Sequence, residues 1–172
     1  MVSYENMSDE LAAAFAEKYP MGIEMGRFLA SACGVFFTQV KDLKTTKGVN
    51  YVICDGGIHH LKYYGQTMAM LIPPIATGAS IEDLVKLKWD IAPLDSPEEV
   101  AEGNDEYCLC GSLCTVADVL VRNVQLKKLS VGDVIAFGKC GAYSVTEGSS
   151  LFLSRDLPVN FQPNDLHKSP CF

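Results

Sequence analysis

Gly111-Ser112-Leu113-Cys114-Thr115-Val116-Ala117-Asp118, and the later run Val131-Gly132-Asp133-Val134-Ile135-Ala136-Phe137-Gly138 that leads to Gly141-Ala142-Tyr143, decide how this chain is read. Cys114 and Asp118 stand four apart among small or apolar residues, after a glycine turn. Gly132-Asp133 is a turn dipeptide, and Val134–Phe137 has the composition of a buried strand. A thiol and a phenol are thereby carried at the ends of apolar strands. Strand ends and loops on a rigid sheet are where reactive groups commonly sit.

Outward from this core the pattern is many short strands, few helical periods and no internal repeat. Residues 8–18 read as a helix with Ser8 as N-cap, stopped at Tyr19-Pro20. Met21 to Ala30 begins strand-like. Phe28 to Val40 is rich in aromatic and β-branched residues, enough for one bent strand, and Lys41 to Gly48 reads as a polar turn. Val49–Cys54 is the returning strand of a hairpin, broken by Asp55-Gly56-Gly57. His59 to Tyr64 reads as a short helix or loop, and Met68 to Ile72 as a strand ended by Pro73-Pro74. Residues 78–106 look like an acidic insertion, in which Ile81 to Trp89 forms a short helix or an edge strand. Strands are expected at Tyr107–Cys114, Val116–Val121, Val134–Phe137 and from Leu157 toward Phe161. Residues 162–172 form a tail without signal. The fold class is therefore mainly β, a closed or nearly closed barrel.

Composition narrows the function classes. The 172 residues are 48% apolar and 20% charged, which suits one packed domain rather than a disordered chain. A net charge of −7 argues against non-specific binding to nucleic acid. There is no long apolar run and no basic leader with an apolar core. Seven cysteines, most of them in apolar runs, read as small reduced hydrophobes, and the cytoplasm is the expected compartment. A metal site is not expected. Adjacent His59 and His60 point different ways, and Cys108, Cys110 and Cys114 lack C-x-x-C pairing.

The central stretch resembles the C-terminal domain of the fold-type-III pyridoxal-phosphate decarboxylases, the family of the diaminopimelate, ornithine and arginine decarboxylases. The resemblance rests on G-x-x-C-[ET]-x-x-D followed by G-D-x-[LIV] and G-A-Y. Three further pieces keep the family's order. Glu24-Met25-Gly26-Arg27 resembles its E-P-G-R, Cys54-Asp55-Gly56-Gly57 its D-[AG]-G, and Phe152 to Pro158 its closing segment. The likeness runs from about Gly22 to Phe161 and is closest to diaminopimelate decarboxylase-like proteins. D-G-G-I-H-H-L is nearer the subgroup acting on unusual or carrier-linked amino acids.

The resemblance implies a Greek-key-type β-barrel, like the C-terminal domain of alanine racemase, over residues 31–161. Residues 1–30 would be the last helix and strand of a separate (β/α)₈ barrel. That other barrel would carry the Schiff-base lysine, so this chain alone is expected to be inactive. The cofactor would be pyridoxal 5′-phosphate, and two chains would form a two-fold homodimer with the cysteine loop reaching the partner's cofactor. Membrane and nucleic acid are not expected partners. On the same footing, Glu24 would pair the pyridine nitrogen, Gly26 and Arg27 would hold phosphate, and Tyr143 would reach cofactor or substrate carboxylate. Cys114 would return a proton to the substrate carbon. Arg27, Thr115, Asp118 and Tyr143 would contact substrate, with Asp118 facing a distal amine.

Each residue also has a plainer role open to it. Glu24 and Arg27 suit a surface ion pair, Cys114 a core cysteine, Asp118 a turn cap and Tyr143 a core tyrosine. Met25 stands where the family has proline, and Thr115 where it often has glutamate. Those departures leave open a second function, a non-catalytic regulatory or scaffolding module. A third is an unrelated small β-barrel that binds another protein.

Overall fold

A computed structural model of the chain describes residues 13–14, 17–18, 26, 30, 33–62, 75–85, 104–141 and 143–161. Six strands form one sheet: β1 (Phe36–Thr46), β2 (Val49–Cys54), β3 (Ile75–Gly78), β4 (Asn104–Cys110), β5 (Val119–Lys127) and β6 (Val134–Phe137). Their order across the sheet is β3-β6-β1-β2-β4-β5. The two edge strands, β3 and β5, approach each other, so the sheet curls into a nearly closed barrel. All neighbours are antiparallel except β2 and β4, which run parallel.

β1 joins the two halves of the barrel. Its first residues, Phe36 to Gln39, pair with β6, and its later ones, from Val40 to Thr46, pair with β2. The ladder slips between Val40 and Asp42, leaving Lys41 as an extra residue. Such a bulge bends and twists a strand, which lets one strand serve two sheet directions. β5 bends similarly at Asn123, whose left-handed φ of 54° sits where the β4 register shifts; asparagine tolerates that conformation better than most residues.

The core follows from alternation. Val40, Val52, Cys54, Leu109, Leu120, Ile135 and Phe137 are fully buried in one cluster inside the barrel. β6 is buried on both faces: Ile135 and Phe137 point inward, while Val134 and Ala136 lie outside beneath α1 (Ile81–Val85), against Leu84. Ser80 caps α1, its Oγ accepting the Asp83 amide at 3.3 Å and donating to the Asp83 carboxylate at 2.9 Å.

The sequence reading holds for the mainly β barrel, for β2 and for β6. It departs elsewhere for identifiable reasons. Lys41 to Thr46 are strand, because a ladder to β2 pays the polar residues' backbone even with their side chains in solvent. The turn is only Lys47-Gly48, with φ of 53° and 78°, the two-residue geometry that matches strand twist. β1 begins at Phe36, since Cys33 lies in a 3₁₀ turn. Gly26 and Ala30 are helical where a strand start was expected; Met25, Phe28 and Leu29 repeat at helical spacing. β4 ends at Cys110, and β5 starts at Val119 and continues to Lys127, so residues 111–118 are loop. Leu157 to Phe161 form no strand: Pro158 has no N–H to give, and no ladder reaches them among the described residues. Residues 68–72, the tail 162–172, Glu24 and Arg27 lie outside the described residues. Among those described, no helix is long and apolar enough to cross a membrane.

Leu109 sits on the parallel β2–β4 seam with no exposure. Leu109→Ala is expected to destabilise the domain by about 2–5 kcal/mol through a cavity the barrel wall cannot close. Urea unfolding followed by circular dichroism measures it.

Candidate active site

Four segments meet at one end of the barrel: the 55–62 turn after β2, the 111–118 loop between β4 and β5, the 143–149 turn, and residues 152–156. Asp118 ties the first two together. It is only 3% exposed, and its Oδ1 accepts the Ile58 N–H at 2.8 Å while Oδ2 accepts the Leu113 N–H at 2.7 Å. The loop also closes on itself through the Gly111 N–H donating to the Asp118 carbonyl at 3.0 Å. The carboxylate lies so close to the backbone of Gly57 and Gly111 that a Cβ on either would overlap it. The second glycine of D-G-G and the first of G-x-x-C are thus explained by one side chain.

Asp55 anchors the other end of the 55–62 turn. Its Oδ1 accepts the Thr38 hydroxyl at 2.6 Å and the Gln39 N–H at 2.9 Å, and its Oδ2 lies 3.7 Å from Lys41 Nζ. Ser112 adds a cross-link, its N–H donating to the Gly56 carbonyl and its hydroxyl to the Asp55 carbonyl at 2.9 Å. The 143–149 turn docks on the same segment: the Lys62 N–H donates to the Ser144 carbonyl and the Ser149 N–H to the Ile58 carbonyl, both at 2.8 Å.

Between its pinned ends the 111–118 loop projects outward. Leu113 and Asp118 are buried, Cys114 and Ala117 are exposed, and Val116 at the tip is 96% exposed. Cys114 is therefore not the core cysteine that a strand at this position would have made it. Thr115 is half-buried and closes the turn, its carbonyl accepting the Asp118 N–H and its Oγ1 the Ala117 N–H. Of the two roles open to Asp118, its hydrogen bonds are those of a cap. The other thiols differ from Cys114. Burial, reinforced by the Asp55 charge, pushes Cys54 up to about 12. Burial and the neighbouring Cys108 thiol, 3.9 Å away, push Cys110 up to about 12. Burial alone raises Cys140 to about 12.

Tyr143 opens the 143–149 turn in a left-handed conformation, φ 71°, with its side chain partly exposed. Its phenol hydroxyl packs against Gly26, where a Cβ would collide with it. Two residues far apart in sequence, assigned to the same cofactor on resemblance, are thereby neighbours. Glu24 and Arg27 flank Gly26 in sequence but lie outside the described residues.

Residues 27–141 match the family model of the pyridoxal-dependent decarboxylase C-terminal sheet domain. The chain belongs to that family. It is 32% identical over 145 residues to a Staphylococcus aureus 2-[(L-alanin-3-ylcarbamoyl)methyl]-2-hydroxybutanedioate decarboxylase, covering 83% of this chain and 32% of that protein. It is 28% identical over 156 residues to an L-glutamyl-[BtrI acyl-carrier protein] decarboxylase of Niallia circulans, covering 89% of this chain and 33% of that one. Among solved structures, a diaminopimelate decarboxylase from M. jannaschi superposes with a TM-score of 0.59 at 22% identity, over 92% of this chain and 34% of the other. The chain spans about a third of the length of the curated relatives it matches.

Sequence reasoning on this decarboxylase domain did not single out Ser112 or Arg155, which meet through a 2.7 Å hydrogen bond from Arg155 Nη2 to Ser112 Oγ. The signal was present: Arg155 lies in the closing segment, and Ser112 lies inside the G-x-x-C motif. His59 and His60, considered for metal and as part of D-G-G-I-H-H-L, lie with ring centroids 3.8 Å apart and planes tilted by 43°. His60 Nε2 lies 3.2 Å from the Asp156 carbonyl.

Two outcomes follow from this geometry. Iodoacetamide at neutral pH should label Cys114 well before Cys54 and Cys140, because the latter are buried and hold their protons; peptide mass mapping reads the order. Asp118→Ala should cost about 1–3 kcal/mol and speed hydrogen exchange at the Ile58 and Leu113 amides, which lose their acceptor.

Proposed function

We propose that this domain completes a pyridoxal-phosphate-dependent amino-acid decarboxylase, with Cys114 as the proton donor at the reacting carbon. The observation that carries the reading is an exposed thiol on a loop whose two ends are fixed by one buried carboxylate. A donor must be accessible yet held in place, and this loop meets both conditions.

The bound cofactor would supply a ring that spreads the electron pair left when the carbon–carboxylate bond breaks. Tyr143 and Gly26, already in contact, suit the cofactor site, and Glu24 and Arg27 beside Gly26 are assigned to its ring nitrogen and phosphate. Cys114 would give its Sγ–H proton to the α-carbon once carbon dioxide has left, and the thiolate would recover a proton from solvent. Thr115, next to the thiol in sequence, would contact the substrate. Asp118 has both oxygens occupied by backbone donors, so its part is to position Cys114 rather than to bind a distal amine.

The near-complete exposure of Val116 at the loop tip fits a loop that inserts into a second protomer, and a two-fold dimer with shared sites belongs to the same proposal. The substrate is an α-amino acid extended at its far end, by analogy with the carrier-linked and hydroxybutanedioate-bearing names of the two relatives. Cytoplasmic residence is part of this reading.

Joining the domain to the barrel portion of the Staphylococcus aureus relative tests it. Carbon dioxide release from an extended amino acid is the expected gain, and Cys114→Ala should lower kcat by about 10²–10⁴-fold with little change in KM. A stable complex with no gain in activity would favour the regulatory module instead. Full activity in Cys114→Ala would remove the thiol from the mechanism.

A further inference from the structure

We propose that the His59–His60 pair is an acid-sensitive latch: the two rings hold the 55–62 turn closed while they are uncharged, and proton uptake by either releases that turn together with the 143–149 turn docked on it.

The geometry disfavours a charge on either ring. His59 is 1% exposed, and among the described residues neither of its ring nitrogens has a hydrogen-bond partner. A proton added there would bring a second unmet donor and an unpaired buried charge, which is far more costly than the neutral ring. His60 Nε2 faces the Asp156 carbonyl at 3.2 Å, so that nitrogen carries the hydrogen and Nδ1 the lone pair. Nδ1 is buried without a partner among the described residues, so a second proton on His60 would also meet no acceptor. The two ring centroids are 3.8 Å apart, and the Phe36 ring lies 5.9 Å from His60 on the core side. At that separation a charge on one ring opposes a charge on the other.

The pair sits where this end of the barrel is tied together. The Ile58 N–H, next to His59 in sequence, donates to Asp118 at 2.8 Å. The Ile58 carbonyl accepts the Ser149 N–H, and the Lys62 N–H donates to the Ser144 carbonyl, both at 2.8 Å. A charged His59 reaches water only by leaving its buried place, and the residues on either side of it carry these three bonds.

Charged groups around the rings come from three segments. Asp55 lies on the turn itself, Asp118 on the thiol loop and Arg155 on the closing segment, and Asp156 lines the same cleft. The carboxylates favour a proton and Arg155 opposes one. Burial outweighs the carboxylates and holds both rings below the ordinary histidine value of 6.5, and the adjacent His60 lowers His59 further. An opened turn therefore binds protons more tightly than the closed one. The closed turn keeps its full advantage above about 6.5 and loses it as pH falls further, in a range where ordinary carboxylates are still ionised. On the decarboxylase reading, acid would then displace Cys114 and Tyr143 as well; the latch itself does not rest on that reading.

Hydrogen exchange of the chain as it stands tests it, read as amide protection between pH about 7 and about 5.5. Protection at the Lys62 and Ser149 amides should fall several-fold, with a ceiling of about eightfold for each ring that stays neutral while closed, since a free ring titrates at 6.5. The amides of β6, which pairs with both β1 and β3, should not follow. The double variant His59→Phe/His60→Phe, which keeps two aromatic rings, should hold protection constant, and His167→Gln, at the chain's one other histidine, should respond as the parent does. In the parent, the His59 ring resonances should titrate below 6.5. The proposal is overturned if protection at Lys62 and Ser149 does not change, if β6 loses protection to the same extent, if the double variant responds as the parent does, or if the His59 ring titrates at or above 6.5.

Discussion

One carboxylate organises the working end of this domain. The Asp118 side chain takes a backbone N–H from each of two loops that follow different strands, β2 and β4. Hydrogen bonds to a charged acceptor are among the stronger ones, about 1.5–3 kcal/mol each. Together they set the distance between the D-G-G turn and the thiol loop. The 143–149 turn then rests on the D-G-G turn, and Arg155 rests on Ser112. Each later contact presupposes the placement made by the one before it.

This arrangement separates holding from reacting. Asp118 and Asp55 have the carboxylates that a site reading would pick first, yet each is committed to backbone or hydroxyl donors within the fold. The Cys114 thiol and the Arg155 side chain are exposed above them. A rigid inner layer of polar contacts beneath exposed side chains is the kind of support that a preorganised site needs.

The sequence disclosed strands whose side chains pack and concealed strands whose backbone alone pairs. Val134 to Phe137 reads as a strand because all four side chains are buried, two on each face. The polar half of β1 carries solvent-facing side chains, so composition suggested a turn where a ladder exists, and the mixed end of β5 gave no strand signal. Leu157 to Phe161 misled in the opposite sense, apolar residues with no ladder among the described residues. At the candidate site, Cys114 was singled out because it stands in a spaced motif. Whether Asp118 faced substrate or capped a turn was not, since both roles ask for the same residue type. Arg155 and His59 gain meaning only from what lies across from them, and such cross-chain neighbours leave no local pattern in a single sequence.

The parallel pairing of β2 with β4 constrains the chain between them. Parallel neighbours cannot be joined by a tight hairpin, so the chain between Cys54 and Asn104 makes a detour, and on the way it contributes β3 to the far edge of the sheet and α1 over β6 before β4 runs beside β2 in the same direction. Once that detour exists, lengthening it is cheap: doubling a flexible loop adds only about 0.6 kcal/mol of closure entropy. Residues added there, outside β3 and α1, would therefore cost the β2–β4 pairing little.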